Sequence, residues 1–126
     1  MNFEFTEEQL AVQEAARMFA QTELLPGVIE RDTEMRFARE QVQMMGEMGF
    51  LGMMVDPKYN GGGMDTLSYV LAMEEISKVD NSCSVCMSVN NSLVCWGIET
   101  HGTEEQKQKY LTKLATGEWI GAFCLS

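Results

Sequence analysis

The chain has 126 residues, 45% hydrophobic and 22% charged, which is one domain's worth of globular protein. Nineteen acidic residues against nine basic ones give a net charge of −10, so the surface repels nucleic-acid phosphates and anionic bilayers. A single histidine excludes His-rich metal centres, no apolar run reaches the ~20 residues of a membrane span, and four cysteines are too few for a disulfide scaffold.

The opening MNFEFTEEQL has neither a basic, apolar signal nor an Arg- and Ser-rich leader. It fits a bacterial cytoplasmic protein, or a mitochondrial matrix protein whose leader has been removed. Thr6-Glu7-Glu8-Gln9 is a capping box, a hydroxyl followed three residues later by an amide. It opens a helix predicted over residues 7–24, which stops before Pro26. A short helical stretch over 27–31 follows. Residues 38–48 make the next helix, with Val42, Met45 and Met48 on one face and Gly49 placed for a left-handed C-terminal turn.

Residues 50–55 are apolar, Asp56-Pro57 starts a turn, and Gly61-Gly62-Gly63 reads as loop. Asp65 caps a helix to about residue 79 with Leu67, Val70, Leu71 and Ile76 inward. A long helix follows over 83–100. It is apolar on most sides (Val85, Met87, Val89, Leu93, Val94, Trp96, Ile98) and so is expected at the centre. Thr103-Glu104-Glu105-Gln106 is a second capping box, opening a helix to about residue 115. Residues 119–125 read as a buried strand. One strand cannot satisfy its own backbone, so a helical domain over 1–117 and the first strand of an absent β domain over 118–126 are expected.

Several sharper chemistries are weighed and set aside. Cys83-Ser84-Val85-Cys86 lies on a predicted helix rather than a knuckle turn. Cys95 stands nine residues further on, roughly 13 Å along a helix, too far to share a zinc ion. The glycine triplet lacks the G-x-G-x-x-G spacing of a dinucleotide site. Glu74 and Glu75 are adjacent on a helix and point ~100° apart, which gives one solvated carboxylate and one at the core edge. His101 sits at a helix C-terminus, where the dipole favours a cation.

The segment GTEEQKQKYLTKLATGEWIGAFCLS resembles the close of the N-terminal helical domain of acyl-CoA dehydrogenases. GEMGFLGMMV followed by PKYNGGGMD, the helix carrying Glu74-Glu75 and the helix carrying Asn91-Ser92-Leu93 agree in order. The short-chain, butyryl-type members look closest. Members usually carry Pro where Ala38 stands. The resemblance implies an all-α domain and, in the full-length enzyme, FAD as cofactor, an acyl-CoA substrate of short to medium chain, and transfer of electrons to electron-transfer flavoprotein. It also implies a homotetramer. By position it places Phe123, Leu125 and Ser126 at the flavin, and Val85, Cys86 and Val89 along the acyl chain. The glycine loop would lie near the mouth of the substrate site. The family's catalytic carboxylate lies in a later part of its chain, so no residue here is assigned as catalytic. A free-standing acidic helical module that binds a protein partner is the alternative.

Overall fold

A computed structural model describes residues 3–126. Among them are six helices and no strand. Helix α1 is Glu7–Phe19, continued with π winding through Ala20–Leu24. Its capping box forms: the Gln9 N–H donates to Thr6 Oγ1 at 3.2 Å, and the Thr6 N–H donates to Gln9 Oε1 at 3.0 Å. Helix α2 is Val28–Thr33 and α3 is Arg39–Glu47, followed by Gly49 at φ +82°, a conformation that costs a side chain with a Cβ.

Helix α4, Thr66–Ser77, is capped by Asp65, whose Oδ1 accepts from the Ser68 N–H at 2.7 Å. Helix α5 begins as Asn81–Ser88, winds as a π-helix through Val89–Cys95 and resumes as Trp96–His101. Helix α6 runs through Glu104–Gln106, a π segment Lys107–Leu111 and Thr112–Leu114, and its predicted capping box forms.

Two apolar clusters result. The larger joins α1, α3, α4 and the first half of α5 around Leu24, Met45, Leu51, Ile76 and Met87. Each such side chain contributes roughly 1.5–3 kcal/mol by leaving water. The rings of Phe19 and Phe50 meet edge to face at 5.9 Å. The smaller cluster packs α6 on the second half of α5 through Val55, Tyr59, Cys95, Leu111 and Leu114. Residues 50–55 pass between the two. They are laced to the glycine loop by N–H donation from Gly62 to Gly52, from Gly63 to Val55 and from Met64 to Met53.

Helix α1 is clasped to α4 by polar groups as well. Glu75 is buried and accepts from Gln13, Arg17 and Lys78, while Glu74 is exposed, the division expected of the pair. A buried ion pair was not anticipated. Arg31 Nη2 meets Asp80 Oδ2 at 3.1 Å and the Leu24 carbonyl at 2.7 Å, with both side chains under 10% exposed. It ties α2 to the start of α5.

Several expectations from the sequence are corrected. Leu67 and Val70 of α4 and Leu93 of α5 are each 43% exposed rather than inward. Met48 is likewise half exposed. The strand expected over 119–125 does not form within this chain: residues 120–126 have no regular secondary structure, because a strand exists only as one rung of a ladder.

Candidate functional site

The long helix α5 is central, but its two faces carry the reverse of what a core helix should. Its buried positions are Cys83, Ser84, Met87, Asn90, Asn91 and Cys95. Its large apolar residues Val85, Leu93 and Trp96 are 52%, 43% and 57% exposed. Val85, Val89, Leu93 and Trp96 are spaced i, i+4, i+8 and i+11, so they form one outward apolar strip.

The buried asparagines explain why the inner face tolerates amides. Asn91 Nδ2 donates to the carbonyls of Phe50 and Met87 at 2.7 and 2.9 Å, and its Oδ1 accepts from the Met53 N–H at 2.8 Å. Asn90 Nδ2 donates to the carbonyls of Leu51 and Leu114 at 2.7 and 3.1 Å. Its Oδ1 accepts from the Gly121 N–H at 2.8 Å. The loop 50–53 and the end of α6 carry carbonyls that no helix satisfies. The two amides, set side by side by the π winding, take them up. The sequence offered Asn91 only as part of a family motif and gave no sign of Asn90's role, since the partners lie 24 to 39 residues away.

Of the residues assigned to the acyl chain, Val85 stands on the outward strip, Val89 is partly buried beside it, and Cys86 is partly buried against the larger cluster. Burial pushes the Cys86 thiol up. It pushes Cys83 and Cys95 to about 12, with help from the nearby carboxylates of Asp80 and Glu99. All three pack as small apolar side chains, Cys83 and Cys95 fully buried and Cys86 partly so. Cys83 and Cys86 share one helix, and among the described residues no three His, Cys, Asp or Glu side chains gather to hold a metal.

The residues assigned to the flavin lie on the tail. Phe123 is 55% and Leu125 87% exposed, and Ser126 is exposed. Among the described residues, Ala122 to Ser126 make no hydrogen bond to the rest of the chain. An aromatic ring, a hydroxyl and a run of open N–H and C=O groups suit the polar rim and flat face of an isoalloxazine. The tail crosses α5 at Asn90 and Val94, so both residue sets border the same helix. Neither set lines the cavity of about 640 Å³ between α2, α3 and the start of α5, which includes Ile29, Phe37 and Cys83.

The described residues thus form an all-helical domain that leaves an apolar strip and a tail exposed. Residues 6–118 match the model of the acyl-CoA dehydrogenase N-terminal domain. The chain belongs to the acyl-CoA dehydrogenase family. It is 46% identical over its whole length to a short-chain specific acyl-CoA dehydrogenase of Clostridium acetobutylicum, covering 33% of that protein. Its fold superposes on butyryl-CoA dehydrogenase from Megasphaera elsdenii with a TM-score of 0.88 and 34% identity, over 95% of this chain and 32% of the other. A glutaryl-CoA dehydrogenase from Mycobacterium smegmatis in complex with FADH2 gives 0.87 and 30%, over 92% and 30% of the two chains. The chain thus spans about a third of the length of the curated relatives it matches. No helix among the described residues is long and apolar enough to cross a membrane.

Proposed function

We propose that this chain is the N-terminal helical part of an FAD-dependent acyl-CoA dehydrogenase, which converts a short- to medium-chain acyl-CoA to the trans-2-enoyl-CoA. The observation that carries this reading is the outward apolar strip of α5 beside an open tail: a helix whose inner face is already satisfied presents Val85 to Trp96 to something else. The residue roles follow by chemistry. Val85, Cys86 and Val89 supply an uncharged wall along which a saturated chain displaces water. Their medium size suits a short straight chain. Phe123 packs on the flavin ring, and the backbone near Leu125 with the Ser126 hydroxyl meets its polar edge. Bound FAD would supply the hydride acceptor for the β-hydrogen. No residue of this chain is assigned as the base for the α-proton. In the assembled enzyme we place the acyl-CoA, electron-transfer flavoprotein as acceptor, and a homotetramer, in the cytoplasm of a bacterium or in the mitochondrial matrix.

The test is a hybrid in which this chain replaces the matching third of the Clostridium acetobutylicum relative. The hybrid is expected to purify with FAD and to oxidise butyryl-CoA with an artificial acceptor, whereas the 126 residues alone give no turnover. A folded hybrid without flavin would overturn the reading in favour of a protein-interaction module. Within the hybrid, Ser126→Thr keeps the hydroxyl and should retain FAD as the parent does. Ser126→Val removes it and should weaken FAD binding roughly 5- to 150-fold, the worth of one buried hydrogen bond. Equal affinity for all three proteins would remove Ser126 from the site.

A further inference from the structure

We propose that Asn90 is the positioning residue of the flavin-facing tail. Its side-chain oxygen fixes Gly121, and through Gly121 it sets where Phe123, Leu125 and Ser126 stand against the acyl wall of α5. The inference rests on the reading of the site given above and adds to it a residue that neither touches the substrate nor belongs to the tail.

Three observations carry it. First, the Gly121 N–H to Asn90 Oδ1 contact at 2.8 Å is, among the described residues, the one hydrogen bond made by residues 120–126. Everything the tail presents to a ligand is hung from that point.

Second, the carboxamide cannot turn. Asn90 is fully buried, and its Nδ2 is held by the Leu51 and Leu114 carbonyls. Rotating the amide would put an oxygen against two carbonyls and an NH2 against the Gly121 N–H, three mismatches around a fully buried side chain. The acceptor is therefore aimed by two separate segments, the loop after α3 and the end of α6.

Third, the tail backbone lies hard against the same helix one turn further on. A Cβ built on Gly121 would stand 2.7 Å from Val94 Cγ1 and 2.9 Å from Val94 Cβ, so only glycine lets the chain pass this close. The anchor is the residue directly after Val89, where the π winding of α5 begins. Disturbed π turns of this kind recur at functional sites. One carboxamide thus joins the segment that faces the flavin to the helix that faces the acyl chain. Misplacement of reacting groups by ~1 Å can cost ~100-fold in rate, so a tether of this kind bears on turnover without touching a reactant.

The experiment has two arms. In the 126-residue chain, the Gly121 amide should be protected from hydrogen exchange, and Asn90→Ala should abolish that protection while Asn91-bonded Met53 stays protected. In the hybrid enzyme, Asn90→Ala should shift the flavin absorption band, weaken FAD binding ~10-fold and lower kcat ~100-fold, with KM for butyryl-CoA changed less than threefold. Gly121→Ala leaves Asn90 and its other two bonds intact but pushes the tail off Val94, and should give the same signature. Adding Val94→Ala to it should restore part of the loss. The Asn90→Ala, Gly121→Ala double variant should be no worse than the poorer single variant. If Asn90→Ala lowers the melting temperature but leaves flavin spectrum, FAD affinity and kcat unchanged, Asn90 merely stitches Leu51 to Leu114 and the proposal falls. An Asn90→Ala that does not fold leaves Gly121→Ala to decide: a parental spectrum and kcat there refute it. A parent hybrid that takes up no FAD refutes the site reading instead, and the exchange arm still reports whether the tether exists.

Discussion

The inner face of α5 is built of amides, thiols, one serine and one methionine, and the outer face carries valine, leucine and tryptophan. In an isolated soluble helix the two would be exchanged. The contrast teaches that burial within a domain and apolar character answer different demands. The inner face must first supply hydrogen bonds to the irregular loop 50–53 and the end of α6. The outer face is free of that duty and holds the surface suited to a hydrocarbon chain.

The contrast can be broken from the inside first. Asn91→Leu keeps the bulk but strands the Phe50 carbonyl and the Met53 N–H, so it should cost about 2–6 kcal/mol, at roughly 1–3 per unsatisfied group, and chemical denaturation would measure it. Met87→Ala, which empties a fully buried site, should cost about 2–4 kcal/mol in the same assay.

Acid should act next, through the carboxylates that hold α1, α2 and α4 to this core. Glu75 is kept below the ordinary carboxylate range by the Arg17 hydrogen bond and then by Lys78. At Asp80 burial works to raise the value, but the Cys83 N–H and Arg31 outweigh it and the shift is downward. A lowered folded-state value means stability that is fully present above the ordinary carboxylate range and lost as pH falls through the folded-state values. The melting temperature should therefore be flat near neutrality and fall below about pH 4. A melting temperature still flat at pH 3 would count against the clasp.

The smallest effect belongs to the outer face. Leu93→Asp should change the stability of the 126-residue chain by no more than about 0.5 kcal/mol, since the side chain is already 43% exposed. A loss as large as that of Met87→Ala would show that the strip is packed in solution.

These variants also mark what was legible in the residues. Local rules worked where the partner is three residues away: the boxes at Thr6 and Thr103, the cap at Asp65, and the turn at Gly49. Helical spacing also split the adjacent Glu74 and Glu75 into one solvated and one core-edge carboxylate, and the structure shows Glu75 to be the buried one. Periodicity failed at Leu67, Val70 and Leu93, because an apolar stripe looks the same whether its own domain or another surface covers it. The Arg31–Asp80 pair and the Asn90 tether were invisible because they join residues 49 and 31 positions apart. That the apolar strip of α5 and the tail are both exposed became legible only once the helix showed which side was left open.

The lacing of residues 52–55 to 61–64, with Asn91 closing it from above, has a consequence for how the chain folds. Helix α5 cannot settle on the first cluster before that loop has its native shape, since an unmatched amide would then be trapped without water. Nor can the loop hold its shape without the amide. The loop, the central helix and the end of α6 therefore depend on one another for stability and should open to hydrogen exchange as a single cooperative unit.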